Sequence, residues 1–198
     1  MAQTSSDRKS GRRLGDMGLP GIILGIGLGG FVDGILLHQI LQWHHMLSSS
    51  ETANIDVGAY PVTTVHGLQM NTLWDGLFHT VTWLAVLIGL GMLYSRLNDT
   101  RSRNRVWGSR LLWGWMLFGW GLFNVVEGLI DHQILGIHHV VTGQFQVLAD
   151  VLFLVFGALL MVGGWLLQRG AEPTQRGTTE RGTTERGTTE RGTPEQDR

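Results

Sequence analysis

Histidines and acidic residues occur together in two stretches of this 198-residue chain that are otherwise apolar. The first, at positions 33–45, is DGILLHQILQWHH, and the second, at positions 127–139, is EGLIDHQILGIHH. An ionisable group in the hydrocarbon core of a membrane is costly unless it is paired or faces an interior cavity, so such groups indicate a functional site. Imidazoles combined with carboxylates, in a chain without cysteine, are typical of a transition-metal site.

The candidate metal ligands are the eight histidines and two acidic residues. They are His44, His45, His138, His139, His38, His132, His66, His79, Asp75 and Asp131. A further set is predicted to support the ligand rings by hydrogen bonding, and it consists of Asp33, Glu127, Asp150, Gln39 and Gln133. The outermost pair, His44 and His45, is expected to bind the metal, whereas the deeper Asp33 is expected to hold a ring in place.

Helical geometry separates these side chains into two stripes. At about 100° per residue, Asp33 and His44 lie within roughly 20° of each other, as do His38 and His45, and the stripes are about 120 to 140° apart. The second stretch repeats this arrangement, provided that both helices continue as far as the histidine pairs. Two such stripes can contribute to one elongated site or to two adjacent sites.

Copper or zinc is the favoured metal, followed by iron. Met46 and Met70 lie at the same end of the predicted spans and would suit copper as soft ligands. The leading function is metal handling, such as holding or passing copper during assembly of a respiratory enzyme, with a respiratory-complex or metal-delivery partner. Metal-dependent chemistry on a lipid-soluble substrate is the alternative for the same site.

Two other functions fit the same residues. His38 and His132 occupy equivalent positions in the two stretches, so they could be the axial ligands of one haem in a redox protein. Asp33, Glu127, Asp75 and the histidines could instead relay protons or ions. The relay is the weaker alternative because no charged residues continue the path through the other half of the predicted spans.

Four apolar stretches must position these residues, and each approaches the roughly 20 residues that a helix needs to cross a membrane. The predicted spans are about Leu19 to Leu41, Leu73 to Leu93, Leu111 to His132 and Val147 to Leu167. The chain is therefore predicted to be an all-α, multi-pass membrane protein. Its membrane domain is expected to cover residues 19–168.

The two histidine stretches follow one pattern, in which an acidic residue and glycine precede HQIL and then a histidine pair. A fainter match follows, because LWDGLF at 73–78 resembles LADVLF at 148–153 and aligns Asp75 with Asp150. The two repeats span about residues 19–95 and 107–168. Each repeat is a helical hairpin with the same orientation, which predicts four transmembrane helices related by a pseudo-twofold axis along the membrane normal.

Arginine and lysine residues precede the first span, surround the second connection and follow the last span, whereas the first and third connections contain none. By the positive-inside rule, both termini are cytoplasmic and the histidines face outward from a bacterial inner membrane. Residues 1–18 form a basic cytoplasmic segment. Residues 169–198, with their RGTTE repeats, are predicted to be a disordered cytoplasmic tail. The net charge of −1 gives no sign of a nucleic-acid partner.

Three motifs together, GGFVDGILLHQILQWHHM, NTLWDGLFHTVTW and VEGLIDHQILGIHHV, resemble an uncharacterised family of bacterial four-helix membrane proteins classed as a domain of unknown function. The resemblance covers about residues 19–167 and implies the fold without implying an activity. The histidine spacing is also similar, by analogy only, to the histidine boxes of membrane fatty-acid desaturases and hydroxylases. Those boxes bind two irons and face the cytoplasm, and their spacing differs.

Overall fold

The computed structural model describes residues 17–98, 105–106, 108–169 and 174–175. Within them are four long helices: α1 (Gly18–Val32), α2 (Val65–Asn98), α3 (Ser109–Glu127) and α4 (Gln146–Arg169). Two strands of two residues each, β1 (Arg105–Val106) and β2 (Thr174–Gln175), form an antiparallel pair. The described part of the chain is otherwise helical apart from loops, as predicted.

Helices α1 and α3 change character at their carboxyl ends. Each continues as an eight-residue π-helix, at Asp33–Ile40 after α1 and at Gly128–Leu135 after α3. Both π-helices are followed by a residue with positive φ, which is Gln42 at 50° in the first case and Gly136 at 65° in the second. The left-handed conformation at these positions ends the helix, so the histidine pairs that follow lie in loops rather than on helical stripes.

The helices pack in the order α2, α1, α3, α4, with each helix contacting only its neighbours in that order among the described residues. Glycines permit the close approach of α1 to α3. A Cβ atom added at Gly25 would collide with the carbonyl oxygen of Met116, and one added at Gly119 would collide with that of Ile22. Because α1 and α3 are the inner pair, they bring the two histidine stretches together at one end of the molecule. We call this end, where α1 and α3 finish and α2 and α4 begin, the histidine end.

Three helical segments are long and apolar enough to cross a membrane, namely Gly18–Ile40, Val65–Asn98 and Gln146–Arg169. Helix α3 is less apolar because it carries Asn124 and Glu127 together with several glycines and tryptophans. The outer helices α2 and α4 expose most of their apolar side chains, as expected of surfaces that contact lipid. The observed helices are also longer than several predicted spans, since α2 begins at Val65 rather than near Leu73.

The loop between α1 and α2 covers the histidine end. Its backbone bonds to the second half of the chain, from Asn54 N to Leu135 O at 2.8 Å and from Ser49 N to Ile137 O at 3.2 Å. The amide of buried Asn71 on α2 fixes the same loop, because it accepts from Leu47 N and donates to Tyr60 O, both at 2.9 Å. The site below this loop is therefore enclosed by ordered backbone.

Several predictions fall outside the described residues. They include the basic segment before residue 17, the arginines at 101 and 103, and the RGTTE repeats at 176–190. Within the predicted tail, the structure describes only Arg169, which ends α4, and Thr174–Gln175, which pairs with Arg105–Val106.

Candidate metal centre

Four imidazole rings meet at the histidine end and form what we call the histidine cluster: His38, His44, His132 and His138. All four rings are buried, with between 0% and 2% of each residue exposed. His44 and His138 are in the middle, with their ring centroids 4.3 Å apart. His38 lies 4.7 Å from His44, and His132 lies 5.4 Å from His138, so each half of the chain contributes one central and one flanking ring.

Two carboxylates face this cluster. Asp33 Oδ2 lies 3.1 Å from His38 Nε2, and Asp33 Oδ1 lies 3.9 Å from His44 Nε2. In the other half, Glu127 Oε1 lies 3.5 Å from His138 Nε2. Both acidic residues are 5% exposed. One donor atom from each of four residues lies within 4.8 Å of the other three, and the four are Asp33, His38, His44 and His138.

The π-helices explain how Asp33 reaches His38. On an α-helix these residues would lie on separate stripes, as predicted, but hydrogen bonds in a π-helix join residues five apart. Residues 33 and 38 are therefore about one turn apart and face the same side, and the same holds for Glu127 and His132. The prediction of two separate stripes is wrong for this reason.

Backbone carbonyls set the tautomers of the two central rings. His44 Nδ1 donates to Val140 O at 2.8 Å, and His138 Nδ1 donates to His45 O at 3.0 Å. A neutral imidazole carries only one N–H, so Nε2 of each ring keeps its lone pair. Burial, with a smaller contribution from the His38 ring, lowers the pKa of His44 to about 3. Burial likewise lowers the pKa of His138 well below 6.5, so both rings are neutral at pH 7.

Asp75 and Asp150 orient the flanking rings in corresponding ways. Asp75 accepts from His38 Nδ1 at 3.1 Å and from His45 Nδ1 at 2.6 Å. Asp150 accepts from His139 Nδ1 at 2.7 Å and lies 3.3 Å from His132 Nδ1. Each carboxylate also accepts a backbone N–H from the loop, Met46 N for Asp75 and Val140 N for Asp150, both at 3.0 Å. The same two side chains thus hold the loops and His38, and Asp150 lies close to His132 without a hydrogen bond to it.

The inward-facing atoms of the cluster have no hydrogen-bond partner among the described residues. They are Nε2 of His38, His44, His132 and His138, both oxygens of Asp33, and Oε2 of Glu127. Of these, Nε2 of the two central rings and the carboxylate oxygens are acceptors, and His38 Nε2, 3.1 Å from Asp33 Oδ2, would donate to it only if the ring carried a second proton. The arrangement is suited to binding a cation.

The remaining candidates lie outside the cluster. His45 and His139 are at its rim, with 15% and 13% of their side chains exposed. His79 packs against the backbone of Gly34 and donates to Asp75 O at 2.7 Å. The others are His66, which is exposed beside Tyr60, the half-buried Asp131, and the exposed Gln39 and Gln133. Asp33, which was expected to support a ring, lies 3.1 Å from His38 Nε2 and also belongs to the four-residue donor group.

Two aromatic residues of the site were not predicted from the sequence. Phe78 stacks on His38 with centroids 5.7 Å apart, and Phe153 lies 5.1 Å from His132. A signal was present, because each phenylalanine follows its aspartate by three residues in LWDGLF and LADVLF. The carbonyls of Val140 and His45 were also missed, and they have no sequence signal because every residue has a carbonyl group.

A family model described as "Predicted membrane protein (DUF2243)" matches residues 20–171. The match includes all four long helices apart from the first residues of α1. No curated protein matches the chain. No solved structure matches it either.

Proposed function

Because the chain belongs to the DUF2243 family of membrane proteins, whose description names no activity, we propose a function from the geometry of the site alone. The protein is a membrane metalloprotein that holds a transition-metal ion at the histidine cluster. The first ion is coordinated by Asp33, His38, His44 and His138. The proposal concerns a resident ion that is kept at the site, in contrast to copper in transit to another protein.

The observation that carries the proposal is the concentration of buried acceptors without donors. A buried polar atom that lacks a hydrogen bond costs about 1 to 3 kcal/mol, and charged groups cost more. The cluster contains several such atoms side by side, including Asp33 Oδ1, Glu127 Oε2 and Nε2 of His44. One divalent cation would satisfy them together, which supports the proposed metal site.

The donor set favours zinc, with iron next. Three imidazoles and one carboxylate supply the four ligands that zinc prefers, and the same ligand types bind iron. The flanking carboxylates resemble the partners that orient metal-bound histidines in other proteins, since Asp75 accepts from both His38 and His45.

The geometry argues against a haem held between His38 and His132. The His44 ring lies 4.7 Å from His38 and 6.5 Å from His132, and the His138 ring lies 5.0 Å and 5.4 Å from the same two rings. Two central imidazoles therefore occupy the space where the flat macrocycle would have to fit. A bare metal ion requires no such space.

We propose further that α3 crosses the membrane as a fourth span and that the histidine end faces outward. Helix α3 runs alongside α1, since Gly21 lies against Trp115 and Gly29 lies against Trp120. A helix that follows a membrane span from one end to the other must itself cross. The outward orientation is supported by the absence of Lys and Arg from the two loops at the histidine end.

The test is element-resolved metal analysis of detergent-purified protein made without an affinity histidine tag. We expect at least one zinc or iron ion per chain in the parent protein. Asp33→Asn, and the double variant His44→Ala with His138→Ala, should lose this ion. His66→Ala is the matched control because His66 is an exposed histidine outside the cluster, and it should keep the metal.

Circular dichroism and elution volume will show whether each variant is folded. Asp33→Asn is nearly isosteric, so it tests the site if the double alanine variant does not fold. Metal well below one ion per chain in the parent, or unchanged metal in folded Asp33→Asn, would contradict the proposed function.

A further inference from the structure

The second half of the site repeats the ligand pattern of the first half. Asp33 precedes His38 by five residues and His44 by eleven, and Glu127 precedes His132 and His138 by the same intervals. Each acidic residue and flanking histidine lies on a π-helix or at its start, and each central histidine lies in the loop beyond it. The four-residue donor group uses all three residues of the first half but only His138 from the second.

Glu127 and His132 are thus left without an assigned role, although both are buried. They are 5% and 2% exposed, and neither Glu127 Oε2 nor His132 Nε2 has a hydrogen-bond partner among the described residues. Among the described residues, the ion-pair contact of the Glu127 carboxylate is with His138, whose Nε2 lies 3.5 Å from Oε1. The same shortage of donors that indicates an ion beside Asp33 therefore exists beside Glu127.

His138 lies between the two carboxylates. One of its ring nitrogens is within 4.8 Å of the donor atoms of Asp33, His38 and His44, while its Nε2 is 3.5 Å from Glu127 Oε1. Because Nδ1 donates to a backbone carbonyl, only Nε2 is available, and one lone pair binds one ion. His138 can complete the first donor group or join the second, but it cannot do both.

We propose that the protein binds a second divalent transition-metal ion through Glu127, His132 and His138, which makes the centre dinuclear. The proposal rests on the proposed function, since it adds an ion to the same site. With one ion bound, His138 completes the group around Asp33. With two ions bound, each half of the chain supplies one carboxylate and two imidazoles to its own ion.

Loading the second ion changes what the centre can do. A metal ion with four protein ligands is typical of a closed structural site, whereas three protein ligands leave a position for water or substrate. With two ions bound, each ion would have three protein ligands, which would leave a position on each for an oxygen ligand. The proposed substrate class is therefore a small oxygen-containing molecule that binds between two ions.

The test is a Co²⁺ titration of metal-stripped protein in detergent, with bound metal counted after removal of free ion. The parent is expected to bind two ions per chain, the second more weakly than the first. Glu127→Gln and His132→Ala should each bind one ion. Glu51→Gln is the matched control, since Glu51 is an exposed glutamate in the loop, and it should bind two ions.

Electron paramagnetic resonance of the parent provides a second measurement that requires no variant. Loading with Mn²⁺ should give a spin-coupled signal at two equivalents that is absent at one equivalent. Saturation of folded parent at one ion, with no spin coupling, would overturn the second site and leave the first intact. Loss of both ions in folded Glu127→Gln would also overturn it, because a single shared site would then be indicated. A parent that binds no ion would instead overturn the proposed function itself.

Discussion

His44 and His138 show why single atoms decide the chemistry of this centre. Their Nδ1 atoms donate to carbonyl oxygens that can only accept, so each ring turns a lone pair towards a buried space shared with Asp33 and Glu127. Because a carbonyl oxygen can only accept, a reversed tautomer would leave this hydrogen bond unmade. The central rings are therefore already oriented for the proposed metal ion before it binds.

The flanking rings depend on Asp75 and Asp150, and this dependence gives a residue-scale prediction. Asp75→Asn replaces one acceptor oxygen with an NH₂ group, which cannot accept from both His38 and His45. Loss of an orienting partner of this kind typically weakens metal affinity by about 10- to 100-fold. We expect that loss for Asp75→Asn and a similar loss for Asp150→Asn, measured by competition with a chelator of known affinity.

Asp56→Asn is the control for these two variants, because Asp56 is exposed in the loop and its carboxylate accepts only a local bond from Gly58 N. It should bind metal as the parent does. Equal affinity in Asp75→Asn and Asp56→Asn would show that Asp75 does not position a metal ligand.

At the scale of elements, the π-helices and the glycine contacts together bring the residues of the site close to one another. The π-helices turn Asp33 and Glu127 to the same side as the flanking histidines, and the glycines let α1 and α3 approach closely. Neither feature would form the site alone. A wider separation of α1 and α3 would move the two central rings apart, since their centroids are only 4.3 Å apart.

Gly25→Ala should therefore destabilise the protein. Its added Cβ would meet the carbonyl oxygen of Met116 on α3, and overpacking of this kind costs about 1 to 3 kcal/mol. Gly163→Ala on α4 is the matched control, because a Cβ there meets nothing within 4 Å. Thermal unfolding in detergent should show a lower midpoint for Gly25→Ala and no decrease for Gly163→Ala. Equal midpoints would mean that α1 and α3 do not need this close contact.

At the scale of the whole molecule, the four helices pack in a row. Only the two inner helices, α1 and α3, have another helix on each side. In the most apolar window of each span, the buried share is 50% for the first span, 11% for α2 and 17% for α4. The exposed faces of α2 and α4 are rich in Leu, Val, Ile and Trp, so lipid is their natural surrounding. The polar cluster is enclosed between the inner helices and the loop above them.

The proposed topology can be tested with single cysteines, because the parent chain has none. Thr142→Cys lies in the exposed loop between α3 and α4 at the histidine end, and Ser109→Cys lies at the exposed start of α3 at the opposite end. In intact spheroplasts, a membrane-impermeant maleimide should label Thr142→Cys alone. Ser109→Cys should be labelled only after permeabilisation. The reverse pattern would place the histidine end in the cytoplasm, and labelling of both would contradict the proposed crossing by α3.

The sequence by itself determined the class of protein and the residues that gather at one end. Length and hydropathy are properties of a contiguous segment, so the apolar stretches could be identified directly, and the spacing of the histidines then placed them at helix ends. The tertiary structure decided which ring of each pair turns inward, His44 rather than His45 and His138 rather than His139. It also decided that Asp33 faces His38. Both outcomes depend on a change in helical hydrogen bonding and on carbonyls from the other half of the chain, which no local pattern encodes.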